Sequence, residues 1–350
     1  MKKIFSFLFF FAQAVFFFAQ TNPPQIKWDT NYYKKYNNRL VVSLYSSRRV
    51  YDIQFDTTIS NTKPVNDFYA DANIVSGIEI DYDKFSVSLG YKTTPPDNVL
   101  KKGKTTCSNW SFSFGGNKWT LETAYRKYTG FYDNNTGVYD TTYTDSTAYY
   151  QNPSMTNRSI KAKIFYFFNH KKFAYKSSYT CVYRQLKTRA SFLVVGNFYQ
   201  NKLDADTSFF PELTKNMYGA YSDLNGLRVI GLSGGGGISV NLVALKRFFI
   251  NGTFAIGPEL QLRKYSHYSG LVENKTSVAG VADWRFSIGM NLKNFFITGF
   301  VVYDIVSYKN KAIDISSTFF SGYGTIGYRF KFKTPKLYQK FQDTKFYEMM

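Results

Sequence analysis

The residues with the clearest chemical potential stand together at His267-Tyr268-Ser269, within the segment RKYSHYSGLVENK that runs from 263 to 275. On an extended chain a His and a Ser two positions apart point to the same side. The imidazole can then take the seryl proton and turn the hydroxyl into a nucleophile. A third group must orient the ring, and Glu273 or Asn274 lies close enough in sequence to do so. The matching chemistry is ester or amide hydrolysis at a lipid surface. The competing reading is a polar loop that contains both residues by composition. The chain has only two His, and the other, His170, sits beside Lys171 and Lys172 as a solvated turn residue would.

Other chemistry is poorly supported. Cys107 and Cys181 lie far apart with no partner spacing, so no zinc motif exists, and two scattered His make no metal site. No metal and no cofactor is expected. The run Gly234-Gly-Gly-Gly237 is not a phosphate loop, because no Lys-Ser or Lys-Thr follows it; it suits a bend or a close approach of strands.

The frame around these residues is unusual in composition. Of 350 residues, 35 are Phe, 30 Tyr and 4 Trp, and the formal charge is +20. Aromatics favour strands and membrane–water interfaces. A basic balance suits nucleic acid or an anionic membrane surface, and the N-terminus decides between them. Residues 1–20, MKKIFSFLFFFAQAVFFFAQ, carry Lys2 and Lys3, then an apolar run of about 15 residues, then a short Ala/Gln step before Thr21-Asn-Pro-Pro. That is the pattern of a cleaved secretory signal peptide, too short for a full membrane span. An exported chain with its basic residues spread singly does not read as a nucleic-acid binder.

Beyond the signal the dominant period is two. Residues 282–292 alternate Ala282, Trp284, Phe286, Ile288, Met290 and Leu292 with Asp283, Arg285, Ser287, Gly289 and Asn291. A charged face opposite an apolar face over 11 residues fits a strand crossing a bilayer obliquely. Trp284, Phe286 and Ile288 should face lipid and Asp283 and Arg285 the lumen, so Phe286→Arg should impair insertion while Ser287→Arg needs only room inside. Strands of this kind are expected at about 39–47, 72–82, 85–92, 109–114, 119–128, 158–168, 173–184, 228–243, 248–262, 281–292, 295–308 and 316–332. Residues 190–199, ASFLVVGNFY, also read as a strand, and would raise twelve to fourteen with a further one near 208–222. Tight turns at 81–84, 115–118, 169–172, 245–247 and 293–294 alternate with longer polar segments near 93–108, 129–157, 263–280 and 309–315. Short turns at one end and long loops at the other are the asymmetry of outer-membrane barrels, closed because hydrocarbon tolerates no open sheet edge.

The expected fold is therefore all-β: a transmembrane antiparallel up-and-down β-barrel of about 12 strands, with 14 possible. Its parts are a signal peptide over 1–20, a periplasmic segment over 21–38, the barrel over 39–332 and a periplasmic tail over 333–350. The lumen-facing charges are expected to be Glu79, Glu122, Arg126, Lys161, Lys163, Lys176, Arg184, Asp283, Arg285 and Arg329, forming a water-filled pore or a core of cross-strand ion pairs. Basic residues in the loops, Arg48-Arg49, Lys101-Lys102, Lys104, Arg263-Lys264 and Lys309, would attract lipopolysaccharide phosphates. Cys107, in a loop, and Cys181, near the outer end of strand seven, should be free thiols. The final strand ends Gly327-Tyr-Arg-Phe-Lys-Phe332, similar to the insertion signal read by the outer-membrane assembly machinery, although 18 residues follow it.

Several segments carry a family resemblance. They are Lys172-Phe-Ala-Tyr-Lys176, Arg189-Ala-Ser-Phe-Leu193 and Asp206-Thr-Ser-Phe-Phe-Pro211, with Arg39 to Arg49 and Lys63-Pro-Val-Asn-Asp67 upstream. The glycine run at 234–237 and the hairpin from Arg285 to Phe296 fit the same pattern. Across about 30–332 the chain resembles a Bacteroidetes family, domain of unknown function 4421. The resemblance implies an outer-membrane barrel and supplies no activity or functional residues. Function is thus expected to be that of an integral outer-membrane protein, structural or channel-like and not enzymatic. The alternative is the lipid hydrolase built on His267, Ser269 and Glu273, whose Ser269-Gly270 departs from the Ser-Asn-Gly of the phospholipase kind. The sequence sets no oligomeric state.

Overall fold

The period-two alternation becomes fourteen strands in the computed structural model, which describes residues 28–36, 38–57, 66–93, 98–309 and 313–350. The strands are β1 (Tyr33–Lys35), β2 (Arg39–Thr57), β3 (Asn66–Tyr82), β4 (Phe85–Lys92), β5 (Thr106–Gly115), β6 (Trp119–Asp133) and β7 (Gln151–Phe167). There follow β8 (Tyr183–Gln185), β9 (Arg189–Asp204), β10 (Leu224–Ala244), β11 (Phe248–His267), β12 (Val272–Asn291), β13 (Phe295–Lys309) and β14 (Ile313–Lys331). Twelve of them, β2 to β7 and β9 to β14, form a closed antiparallel barrel. Closure comes from β14 against β2, in register from Ile313↔Thr57 to Lys331↔Arg39. The register runs through that joint without a shift, so no sheet edge is left open there, the condition hydrocarbon imposes.

The outer surface is apolar where the alternation says it should be. On β12, Trp284, Phe286 and Ile288 are 50%, 42% and 50% exposed, while the side chains of Asp283 and Arg285 are 13% and 11% exposed. Leu44, Ile78, Leu89, Ile164, Phe192, Leu232, Phe254 and Ile326 extend the same belt around the barrel. A soluble protein rarely leaves so continuous an apolar band in contact with solvent.

The count of twelve strands holds, but its membership differs from the expected one. Residues 173–184 are not a barrel strand, and 190–199 belong to β9, which pairs with β7 and β10. The turn at 169–172 is accordingly no hairpin. It opens a segment, 168–188, that enters the lumen. The stretch 263–280 is likewise not a long loop, because β11 and β12 run through it and turn only at 268–271. Cys107 lies in β5 and Cys181 in the inserted segment; both thiols are free. Gly235 and Gly237 of β10 are half-buried on the inner face. A Cβ at either would run into the backbone of β11 at Ile256 or Phe254, so only glycine permits this close approach.

The first described residues, from Trp28, and the C-terminal residue Met350 lie at one end of the barrel, the terminal end. There the tail folds into two short helices, Lys336–Gln342 and Lys345–Met349. Tyr338 donates to Asp83 at 3.0 Å, and Lys118 N–H donates to the Met350 carbonyl at 3.0 Å, so the tail lies across the β3–β4 and β5–β6 turns. The segments 1–20 and 21–27 fall outside the described residues.

Candidate functional site: a charged chamber between a plug and a cap

The segment 168–188 fails as a strand because its polar and apolar residues do not alternate, and it plugs the terminal end instead. It contains a short helix, Lys176–Tyr179, and β8, which pairs with β1 in a small separate sheet. Phe173, Tyr175 and the wall residues Phe165, Phe167 and Leu193 form one buried cluster. Val182, Tyr183 and Cys181 pack with Val41 and Phe296 in another. Polar wall residues satisfy the plug's backbone. Asn291 donates to the carbonyls of Ser177 (3.0 Å) and Tyr183 (3.1 Å), and Asn241 to that of Ala174 (3.1 Å). Arg329 donates to the Cys181 and Leu292 carbonyls at 2.9 and 2.7 Å. A buried carbonyl left without such a donor costs about 1–3 kcal/mol.

At the opposite, loop end, residues 205–223 fold inward as a cap. Phe210 stacks on Tyr218 at 3.7 Å between ring centroids and meets Phe55 edge-on at 5.1 Å. Phe55 in turn packs on Phe68 and Phe209. One buried polar side chain, Asn66, pins the cap: it accepts from Tyr218 at 2.7 Å and Thr214 at 3.0 Å, and donates to Asp133. Three of the segments carrying the family resemblance build the two closures, and the others lie in wall strands. Lys172–Lys176 is in the plug, Asp206–Pro211 is in the cap, and Asn66-Asp67 is the cap's anchor; Lys63–Val65 lie outside the described residues.

Between plug and cap two cavities, of about 80 and 210 Å³, share Arg126, Lys161, Lys163 and Asp304 in their walls. The charges meet across the lumen. Asp304 of β13 takes Lys161 at 2.9 Å and Arg126 at 3.4 Å, and Lys163 pairs with Asp283. Arg285 of β12 reaches Glu122 of β6 at 2.6 Å, and Tyr175 of the plug bonds both, at 2.8 Å to Arg285 and 3.1 Å to Glu122. Glu79 lines the larger cavity. Charges removed from bulk water keep partners because a buried unpaired ion is far more costly.

Two of the ten residues expected in the lumen belong to the inserted segment and not to a wall strand. Lys176 is buried in the plug helix and donates to the Lys84 carbonyl at 3.2 Å. Arg184 sits in β8 at the terminal rim, where it holds the Lys246 carbonyl at 2.7 Å. Arg329 is on β14 and buried, but serves the plug. Two expected loop cations also point inward: Arg49 lies 5.0 Å from the Tyr323 ring, and Arg263 is buried beside Gln261 at 3.0 Å. Arg48 faces outward, 3.8 Å from Asp71. The side chain of Lys309 lies outside the described residues. Asp304 was missed because it falls in an apolar stretch, VVYDIVSY, where period two is blurred.

The His267 constellation is differently wired from its sequence expectation. His267 ends β11 with its side chain buried, and its Nδ1 is 2.6 Å from Asp223, the last residue before β10. Asp223 also takes the Ser269 N–H at 3.1 Å. Hydrogen bonds from the Ser269 side chain and from His267 push the Asp223 carboxyl down to about 2. Glu273 does not orient the ring; it accepts from Tyr221 at 2.8 Å and from Lys275 at 3.2 Å. His267 Nε2 has no partner, and Ser269 is bound to the carboxylate, not to the imidazole. A relay needs Ser, then His, then Asp in line; here Asp223 stands between the other two. The arrangement ties the cap to the strands and does not activate Ser269. Among the described residues no group of three or more His, Cys, Asp or Glu is placed to hold a metal ion.

The sequence pattern of the family described as Domain of unknown function (DUF4421) matches residues 27–330. No curated protein is similar to this sequence. Among solved structures, the outer membrane protease OmpT from Escherichia coli is 8% identical, with a TM-score of 0.36, over 85% of this chain and 98% of that one. The translocator domain of autotransporter NalP from Neisseria meningitidis is 9% identical, with a TM-score of 0.33, over 82% and 88%. The Pseudomonas putida toluene transporter TodX is 6% identical, with a TM-score of 0.26, over 85% and 91%.

Proposed function

The chain belongs to the DUF4421 family, and from that premise we propose that it is an integral outer-membrane barrel working as a plugged conduit for small polar solutes. Residues 1–20 act as the cleaved export signal, both termini lie in the periplasm, and the assembly machinery inserts the barrel from that side. Its surroundings are outer-membrane lipid and lipopolysaccharide, whose phosphates meet exposed cations such as Lys104 and Lys264 at the loop end.

The observation that carries this reading is the charge-lined chamber held between plug and cap. A barrel used only as a scaffold gains nothing from ion pairs across its lumen, since apolar packing of the same volume is often at least as stable. A conduit needs a polar path, and this one is closed by a separate chain segment that can move without breaking the barrel's own ladder. Planar-bilayer recordings test it. The intact barrel should be silent or open rarely, and a barrel with both 173–184 and 206–222 replaced by short Gly-Ser linkers should conduct steadily. A linker variant that inserts and stays silent would overturn the conduit in favour of a structural barrel.

A further inference from the structure

The barrel wall is not uniformly sealed. Strands β11 and β12 pair over nineteen positions, from Phe248↔Met290 to Ser266↔Val272. On its other edge β12 pairs with β13 over only eight, from Trp284↔Tyr303 to Asn291↔Phe296. Toward the loop end Val272–Asp283 and Asp304–Lys309 have no partner across this seam among the described residues, although β13 stays paired with β14 as far as Lys309↔Asp314. The seam starts inside the apolar belt, where Val278 and Ile305 stand exposed on its two lips. Unpaired strand edges facing hydrocarbon are costly, so lips at this depth call for something to cover them.

The smaller cavity lies directly behind. Val281, Ala282, Ile305 and Val306 line it from the two lips, Glu259 lines it from β11 beside the β12 lip, and Asn197 from β9 further round the wall. Glu259 is 2% exposed: its Oε1 accepts from Tyr199 at 2.8 Å and from Gln261 at 2.6 Å, and its Oε2 has no partner. Asn197, 8% exposed, donates to Ser233 at 3.3 Å and leaves its Oδ1 without a donor. The cations lining this cavity are engaged elsewhere, Lys161 and Arg126 with Asp304 and Lys163 with Asp283. Two buried acceptors, one of them a carboxylate, therefore face a cavity whose mouth has apolar lips. The complementary chemistry is a cationic hydrogen-bond donor on an apolar chain.

We propose that the β12–β13 seam is a lateral portal that admits an amine-headed amphiphile from the bilayer, its ammonium meeting Glu259 and Asn197 and its apolar chain lying between the lips. This goes beyond the conduit reading and needs only that the barrel sit in a bilayer. A barrel lacking plug and cap that stays silent would leave it untouched.

The test uses the full-length protein reconstituted in phosphatidylcholine vesicles and titrated calorimetrically with dodecylamine, dodecanol and dodecanoate. Dodecylamine should bind saturably, with about tenfold or more preference over the other two. Glu259→Gln should remove that preference, and Asn197→Leu should weaken amine binding several-fold, in variants that retain heat-modifiable migration. Continuing the register from Trp284↔Tyr303 brings Ala282 opposite Ile305. An Ala282→Cys/Ile305→Cys pair, made with Cys107→Ser, should close the seam when oxidised, abolish binding, and restore it on reduction. Equal uptake of all three amphiphiles, unchanged binding in folded Glu259→Gln, or full binding with the seam locked would each overturn the portal. Should Glu259→Gln fail to assemble, the Asn197→Leu and locked-seam titrations decide.

Discussion

Arg329 of β14 donates to the carbonyl oxygen of Cys181, 148 residues earlier, from Nε at 2.9 Å and from Nη2 at 2.5 Å. Its other side-chain hydrogen bonds go to the Leu292 carbonyl at 2.7 Å, the Lys293 carbonyl at 3.4 Å and the Asn291 amide oxygen at 2.6 Å, neutral acceptors all. Five N–H donors in a rigid fork let one side chain hold a loop of chain and a barrel turn together. The final strand therefore closes the barrel and fastens its plug in one step.

That double role sets the first prediction. Arg329→Gln leaves the Cys181 carbonyl without its two donors, at about 1–3 kcal/mol for the buried acceptor. The barrel should still assemble, because its ladder is untouched. The plug should loosen, read as faster hydrogen exchange over 174–183 and as more frequent openings in planar bilayers. Unchanged protection in that segment would show that the apolar contacts of Val182 and Tyr183 hold the plug without help.

Depth on the lipid face sets the second. Phe286→Arg puts a charge inside the apolar belt, at about 2–4 kcal/mol near the midplane. Asn274→Arg, outward on the same strand but at the loop end, should be tolerated. Heat-modifiable migration after outer-membrane fractionation reads both. Ser287→Arg is no longer a fair control: Ser287 is fully buried, so the room that substitution needs is absent.

The cap gives the third. Phe210→Ala removes the ring that stacks on Tyr218 and meets Phe55. Truncating a buried Phe costs about 3–5 kcal/mol. The loss should fall locally, so limited proteolysis should cut within 205–223 of the variant at rates where the parent is intact. Cleavage elsewhere first would mean that cap and barrel unfold as one unit.

Acid should release the cap through Asp223. Its carboxyl is held down at about 2 against an ordinary 3.8 by Ser269 and His267. A depressed folded value gives stabilisation that is fully present above the ordinary value and fades as pH falls through the folded one. The contribution should therefore be constant above about pH 5 and decline between pH 4 and 2. Hydrogen exchange over 205–223, corrected for intrinsic rate, should rise in that window, and Asp223→Asn should flatten the profile. An identical rise in that variant would assign the acid response to another group.

Thiol reactivity follows burial. Cys107 is half-buried in β5 and Cys181 fully buried in the plug. Native alkylation should label Cys107 slowly and Cys181 only after denaturation or in Arg329→Gln. Two labels at equal rates in the folded parent would contradict the plugged state.

Period two, by itself, determined the barrel. In segments such as 282–292, 85–91 and 160–166 the alternation is strict, and a strand's two faces are settled locally by which side chains hydrocarbon accepts. Twelve strands, the closed topology and the inward place of Glu122, Arg126, Lys161, Lys163, Asp283 and Arg285 were legible for that reason. What no local pattern carries is partner choice. Residues 173–184 and 190–199 are both rich enough in aromatics and small polar residues to read as strands. Only the barrel's parity, and the Asn241, Asn291 and Arg329 side chains waiting on distant strands, made one of them wall and the other plug. The same holds at the loop end, where Glu273 lies nearer His267 in sequence but Asp223, 44 residues away, takes the ring, because the hairpin β10–β11 brings the start of one strand beside the end of the next. Facing is a property of neighbours along the chain and was written in the sequence. Which charge meets which, and which segment fills the lumen, depends on contacts across the barrel, and only the tertiary structure decided it.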